Sequence, residues 1–185
     1  ALGRIEPRNG IYKLAGPSDL AVVGELRVSE GDNVEAGQLL ATLDTHALRE
    51  AEVARAEIEI EYASRRLKRE QNLRQTSATS VARMEESERD VDIWKAELLA
   101  AQQRLERAEV RAPVAGKVLL IHAREGERIG PDGLLELGQT DIMYAVAEVY
   151  ETDVSRVSPG QRARVSSPSL PQELTGEVER LGFLI

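Results

Sequence analysis

The sequence predicts an α+β protein in which a long antiparallel α-helical hairpin is inserted between two β-rich flanks that repeat one another. Three observations carry this prediction. All 14 glycines and all 7 prolines of the 185-residue chain lie outside residues 38–112, so 75 consecutive residues hold no helix breaker. Within that stretch the apolar residues recur at alternating steps of three and four, the period of a helix seam. A shift of 95 residues lays 21–40 on 116–135 without a gap, so the flanks carry one pattern twice.

Composition narrows the function classes. The chain has no cysteine, which removes disulfides, thiolate zinc sites and cysteine nucleophiles. Its 24 Lys+Arg against 32 Asp+Glu give a formal charge of −8, which argues against a grip on nucleic acid or an anionic membrane. No apolar run approaches the length of a membrane span, and the start Ala1-Leu2-Gly3-Arg4 is not a signal peptide. The chain as given therefore reads as soluble, and any membrane anchor is expected in a processed or trimmed segment.

In the first flank, residues 21–40 read as strand, turn and strand. The turn Glu30-Gly31-Asp32-Asn33-Val34 places glycine where the backbone needs unusual angles.

Residues 45–109 read as the hairpin. Across 46–109 there are 12 Arg/Lys and 14 Asp/Glu, so the helix faces are densely charged but nearly neutral, as expected of solvated surface. Val53, Ala56, Ile60, Ala63 and Leu67 form one seam, which Leu48, Ile58 and Tyr62 are expected to broaden. Met84, Ser87, Val91, Trp94, Leu98, Ala101, Leu105 and Ala108 form the other. Between them the small polar run Gln75-Thr76-Ser77-Ala78-Thr79-Ser80 marks a tip near 74–80, where Ser and Thr can cap a returning helix. Two helices of about 30 residues would each reach roughly 45 Å.

The second flank repeats the first. Val23 meets Val118, Glu30 meets Glu125, Gly31 meets Gly126, and Leu39-Leu40 meets Leu134-Leu135, with Asp32/Glu127 and Val34/Ile129 as conservative matches. Identity falls on turn and core positions, where a repeated hairpin needs it.

No constellation for catalysis stands out. His46 and His122 lack metal-ligand spacing, and Glu85, Glu86, Glu88 and Asp90 have arginines three or four residues away, so they read as solvated ion pairs. Gly-x-Ser-x-Gly, phosphate-loop and dinucleotide motifs are missing, and Trp94 at a seam position reads as core. No catalytic, cofactor-binding or metal residues are assigned.

Glu30-Gly31-Asp32-Asn33-Val34 with Gly37-Gln38-Leu39-Leu40, and Val110-Arg111-Ala112-Pro113 with Gly116-Lys117-Val118, resemble the two half-motifs of a biotinyl/lipoyl domain. Carrier domains of that family present a cofactor lysine between the halves, flanked by methionines in the biotinyl case. This chain has no lysine between Lys13 and Lys68, and Met84 and Met143 adjoin none. A carrier domain of an enzyme complex is therefore the remote alternative, and the helical hairpin stands where the carrier site would be.

A lipoyl-like domain split by such a hairpin resembles the periplasmic adaptor subunits, or HlyD-like membrane fusion proteins, of tripartite efflux pumps and type I secretion systems. The resemblance rests also on Leu43-Asp44-Thr45 entering the first helix, Val110-Arg111-Ala112-Pro113 leaving the second, and Ala147 to Val154 with Val157-Ser158-Pro159-Gly160-Gln161 downstream. It implies an entering strand at 1–9, a lipoyl-like domain in two halves at 10–44 and 110–138, the hairpin at 45–109, and an incomplete adaptor β-barrel domain at 139–185. It implies a non-catalytic protein of the periplasm, anchored to the inner membrane in its full-length form. Its partners would be a TolC-like outer-membrane channel, an inner-membrane transporter, and further copies in a homo-hexameric ring whose hairpins form a tube.

Arg69, Leu73 and Ser80 match in spacing the tip motif with which such adaptors dock on the channel. The strand end Val149-Tyr150-Glu151-Thr152-Asp153 and the compact hairpin resemble adaptors of ABC exporters, including the cyanobacterial glycolipid-export type. An adaptor of a proton-driven pump is the alternative.

Overall fold

The two flanks hydrogen-bond to each other crosswise, and that is what makes them one domain. The computed structural model describes residues 1–16, 21–75, 80–168, 170 and 172–182. In chain order the first elements are β1 (Leu2–Pro7), β2 (Ile11–Leu14), β3 (Val23–Leu26), β4 (Asn33–Val34) and β5 (Leu39–Leu43). The helices α1 (His46–Gln75) and α2 (Val81–Glu106) follow, then β6 (Glu109–Arg111), β7 (Gly116–Ile121) and β8 (Leu135–Gly138). The last are β9 (Met143–Glu148), α3 (Glu151–Val154), β10 (Arg162–Val165) and β11 (Leu174–Glu177).

Residues 11–139 form one compact unit. Its strands make two antiparallel sheets, ordered β2-β8-β7-β4 and β3-β5-β6. The 95-residue repeat appears directly in its hydrogen bonds. The Val23 N–H donates to the Glu127 carbonyl and the Val118 N–H to the Asp32 carbonyl, both at 2.9 Å. The Gly31 N–H donates to the Val118 carbonyl and the Gly126 N–H to the Val23 carbonyl, both at 2.8 Å. The Glu30 carboxylate accepts from the Ile121 N–H and the Glu125 carboxylate from the Leu26 N–H, both at 3.0 Å.

Each bond maps onto its counterpart under the shift, so the halves are related by a pseudo-two-fold axis and each satisfies the other's backbone. Gly31 and Gly126 sit at φ of 91° and 80°, the left-handed region that side chains with a Cβ disfavour. The core between the halves is made by residues that the repeat pairs: Val23 with Val118, Val34 with Ile129, and Leu40 with Leu135 are all buried.

The hairpin grows out of neighbouring strands. β5 and β6 pair antiparallel, with Thr42 opposite Glu109. The Leu43 N–H donates to the Ala108 carbonyl at 2.9 Å, so the helix roots are tied by backbone as well as by packing. At 1.5 Å per residue, the 30 residues of α1 and 26 of α2 extend about 45 and 39 Å. Both seams are observed: Ala56, Ala63, Ser87, Val91 and Ala101 are buried, and Val53, Ile60, Leu67, Met84, Trp94, Leu98 and Leu105 half-buried.

Two cross-helix ion pairs fix the register. Arg104 reaches Glu52 at 3.4 Å and Arg66 reaches Asp90 at 3.0 Å, so 14 residues forward along α1 match 14 back along α2.

One expectation is corrected. Leu48, Ile58 and Tyr62 do not broaden the seam but lie 57%, 66% and 63% exposed. On a helical wheel they fall well away from the Val53-to-Leu67 stripe, because 48, 58 and 62 share a different face at 100° per residue.

The seam holds one conflict. The Ser87 side chain is fully buried and its Oγ has no hydrogen-bond partner among the described residues. Stranding a hydroxyl costs about 1–3 kcal/mol, and alanine is the better helix former. Ser87→Ala is therefore expected to stabilise the hairpin by about 1 kcal/mol, read as a higher midpoint of helix melting by circular dichroism at 222 nm. A lower midpoint would show that the hydroxyl is satisfied.

Residues 1–10 and 140–185 form a second unit. β1 pairs antiparallel with β9 from Leu2 opposite Glu148 to Pro7 opposite Met143. β10 pairs with β11, and the Gly160-Gln161 turn before β10 is closed by the Gly160 N–H donating to the Val178 carbonyl at 2.8 Å. The Tyr144 hydroxyl donates to Glu179, a bond that holds its pKa above the usual phenol range, and Arg8 sits 6.0 Å from the centre of the Tyr144 ring.

Candidate functional site: the hairpin tip

The end of the hairpin is built by a helix stop and a helix start. Residues 76–79 of the expected tip lie outside the described residues. On the returning side Ser80 is the N-cap of α2, with extended backbone angles (φ −88°, ψ 157°) and an Oγ that accepts the Arg83 N–H at 3.3 Å. This explains why α2 begins where it does, since the cap satisfies one of the orphan N–H groups of the first turn. The last turn of α1 is held beside it by the Arg74 guanidinium, which donates to the Met84 Sδ at 3.2 Å.

The three residues singled out from the sequence occupy this end. Arg69 is exposed on α1, and Leu73, one turn further, is 43% exposed. Ser80 is exposed as well as capping, so its hydroxyl already serves the helix. A guanidinium and a large apolar side chain one turn apart at the end of a rod can bind a partner by charge and by burial. They offer no nucleophile with an adjacent base.

Several other titratable residues hold the fold together. His46 bridges the helix root to β6 through its Nε2, 3.3 Å from Glu109, and His122 Nε2 lies 3.2 Å from Glu136. Among the described residues no three His, Asp or Glu side chains gather in a way that could hold a metal ion. The acidic run in α2 finds its cation across the seam: Arg66 contacts Asp90 and, at 3.9 Å, Glu86. The sequence showed acids beside arginines but could not show which helix supplied the partner. Near the base, Arg104 joins Glu97 at 3.1 Å and Glu52, and the bond to Glu97 holds its pKa above the ordinary arginine value.

The chain has four lysines. Lys13 and Lys117 lie in β2 and β7, Lys68 and Lys95 on the helices. The position between β5 and β6, where the half-motifs meet, is occupied by the hairpin itself.

Among the described residues no helix is long and apolar enough to cross a membrane. The signal that sequence reading missed is the exposed stripe on α1, which a wheel drawn separately for each apolar set would have separated from the seam.

Residues 17–135 match the family model described as "CzcB-like, barrel-sandwich hybrid domain". The chain is similar to the pyoverdine export membrane fusion protein PvdR of Pseudomonas aeruginosa, 27% identical over an alignment of 217 positions that covers 98% of this chain and 54% of that protein. The chain spans about half the length of the curated relatives it matches. Among solved structures it is similar to the membrane fusion protein Spr0693 from Streptococcus pneumoniae R6, with a TM-score of 0.73, 20% identity, and coverage of 98% of this chain and 82% of that one. A MacA–MexA chimera carrying the Pseudomonas aeruginosa MexA α-hairpin domain gives a TM-score of 0.75 at 18% identity, covering 96% of this chain and 64% of that one. At these identities the two structures speak to the fold.

Proposed function

The chain belongs to the CzcB-like barrel-sandwich hybrid domain family, and from that membership we propose that it is a non-catalytic periplasmic adaptor. In this reading it links an inner-membrane transporter to a TolC-like outer-membrane channel for export across the envelope. The observation that carries the reading is the insertion. A pseudo-symmetric β domain that resembles a cofactor carrier has, between its two halves, a rod about 45 Å long with Arg69, Leu73 and Ser80 at its far end.

A rod rooted in paired strands β5 and β6 suits transmission over distance rather than chemistry. Copies standing side by side, six by resemblance, would present several tips at once, so modest contacts at each tip act together through avidity. We assign the ABC-exporter class to the inner-membrane partner, with a proton-driven pump as the alternative. The Val149-to-Asp153 strand end, which runs from β9 into α3, and the compact hairpin support that assignment. In the same reading the full-length protein works in the periplasm, held by an inner-membrane anchor.

The test is excision. Replacing residues 46–107 with a short Asn-Gly turn joins β5 to β6 as a plain hairpin, leaving the crosswise β core intact. Expressed in a strain lacking the gene, this variant is expected to fold, by circular dichroism, yet restore no export and fail to co-purify with the outer-membrane channel. Full export by the excised protein would overturn the adaptor reading.

A further inference from the structure

Met84 is the single methionine of the helical hairpin, and its sulfur faces a cation. The Arg74 guanidinium, in the last turn of α1, donates to the Met84 Sδ, in the first turn of α2, at 3.2 Å. Packing alone is served by leucine, which fills the seam at Leu67, Leu98 and Leu105. A thioether adds a polarisable sulfur that accepts hydrogen bonds only weakly, so the guanidinium is aimed at an atom that makes poor use of it.

The surroundings leave this sulfur open to small oxidants. Met84 is half-buried, while Val81, Ala82 and Arg83 before it and Glu85 and Glu86 after it are exposed. The chain has no cysteine to be oxidised first, and its other methionine, Met143, lies in β9 of the second unit. Arg74 is itself exposed, and a cation in the last helical turn is favoured by the carbonyl end of α1. The donor therefore stays in place when the sulfur changes.

We infer that Met84 is a reversible oxidation site whose sulfoxide is held by Arg74. The sulfur lone pair attacks one oxygen of hydrogen peroxide, and the S–O bond forms as the O–O bond breaks. The proton on the transferred oxygen passes to the departing hydroxide, which leaves as water, so the sulfur is oxidised and the peroxide reduced. A dithiol reductant reverses the change, removing the oxygen as water while it closes to a disulfide. In most helix seams a sulfoxide disrupts packing, because it turns an apolar side chain into a polar one. Here it exchanges a weak N–H···S contact for a charge-assisted N–H···O bond across the two helices. The end of the hairpin keeps its form under oxidant, with Leu73 still presented beside Arg74.

This deepens the proposed function and rests on it only for the consequence at the docking end. The full chain carrying Met143→Leu, which leaves Met84 as the one oxidisable sulfur, is treated with dilute hydrogen peroxide until its mass shows one added oxygen. Melting is then followed by circular dichroism, with and without Arg74→Ala. The oxidised chain is expected to melt within about 1 °C of its reduced form, whereas oxidation of the Arg74→Ala chain lowers the midpoint by about 3 °C or more. Methionine sulfoxide reductase with dithiothreitol should restore the unmodified mass in both.

Four results would overturn the inference: no oxygen taken up at Met84, a mass that the reductase does not restore, an equal fall in both midpoints, or a fall of the same size when peroxide is added to a chain carrying Met84→Leu. Docking on the outer-membrane channel is scored on the same proteins. No docking by the reduced chain refutes the adaptor reading and leaves the melting comparison to decide the sulfoxide contact. Docking retained with an equal fall in both midpoints refutes the sulfoxide contact alone.

Discussion

Leu73→Asp combined with Arg69→Asp is expected to abolish docking on the outer-membrane channel and, with it, export, while the protein folds and melts close to the original. Leu73 is 43% exposed, so it has apolar area left for a partner to cover. Burying a leucine contributes about 1.5–3 kcal/mol, whereas an aspartate in the same place carries a charge that must be desolvated, so the sign of the contact reverses. Arg69→Asp reverses the charge one turn below. Multiplied over the tips of a ring, a loss of this size at each leaves no measurable avidity.

The fold should tolerate both changes, since substitutions at exposed helix positions usually shift stability by only about 0.5 kcal/mol. The measurement pairs channel co-purification and export with circular dichroism on the same proteins. Normal export by the double variant would remove the tip assignment. Ser80→Ala is a useful contrast, because it deletes the N-cap of α2 and should cost about 1 kcal/mol of stability whatever the tip binds.

The largest effect on stability should come from the pseudo-symmetric core. Leu40 and Leu135 are both fully buried, and the 95-residue shift places one on the other. Truncating either to alanine removes buried methyl groups and leaves a cavity in strands that cannot easily collapse, a loss of roughly 2–5 kcal/mol each. Because each leucine packs where the two halves meet, the paired variants should lose similar amounts, read as similar falls in the urea midpoint. The double variant is expected to unfold the β domain and, with β5 and β6 no longer paired, to release the roots of the hairpin. A large loss at one site with almost none at the other would show that the repeat is a sequence echo without energetic equivalence.

The helical middle was legible because helix breakers are absent over 75 residues and because a seam imposes its period on the sequence. The repeated turns were legible for a related reason: Gly31 and Gly126 occupy backbone angles that few other residues accept, so the same residue recurs at both positions. Ser80 was legible as a cap because capping is a bond between near neighbours in sequence.

What escaped reading involves distance along the chain. Leu48, Ile58 and Tyr62 share the composition of a seam, and only the placement of α2 decides which apolar face of α1 is covered and which is left outside. The partner of Asp90 is Arg66, 24 residues away on the other helix, and local charge patterning pointed instead to neighbours three or four residues off. The unsatisfied hydroxyl of Ser87 likewise arises from close packing across the seam.

The sequence by itself thus determined the elements, their order and the equivalence of the two flanks, because periodicity, turn geometry and capping are enforced within a few residues. The tertiary structure alone decided that the flanks satisfy each other's backbone crosswise, and at what height the charges of one helix stand beside those of the other. Those are set by contacts between residues far apart in the chain, and no local pattern encodes them.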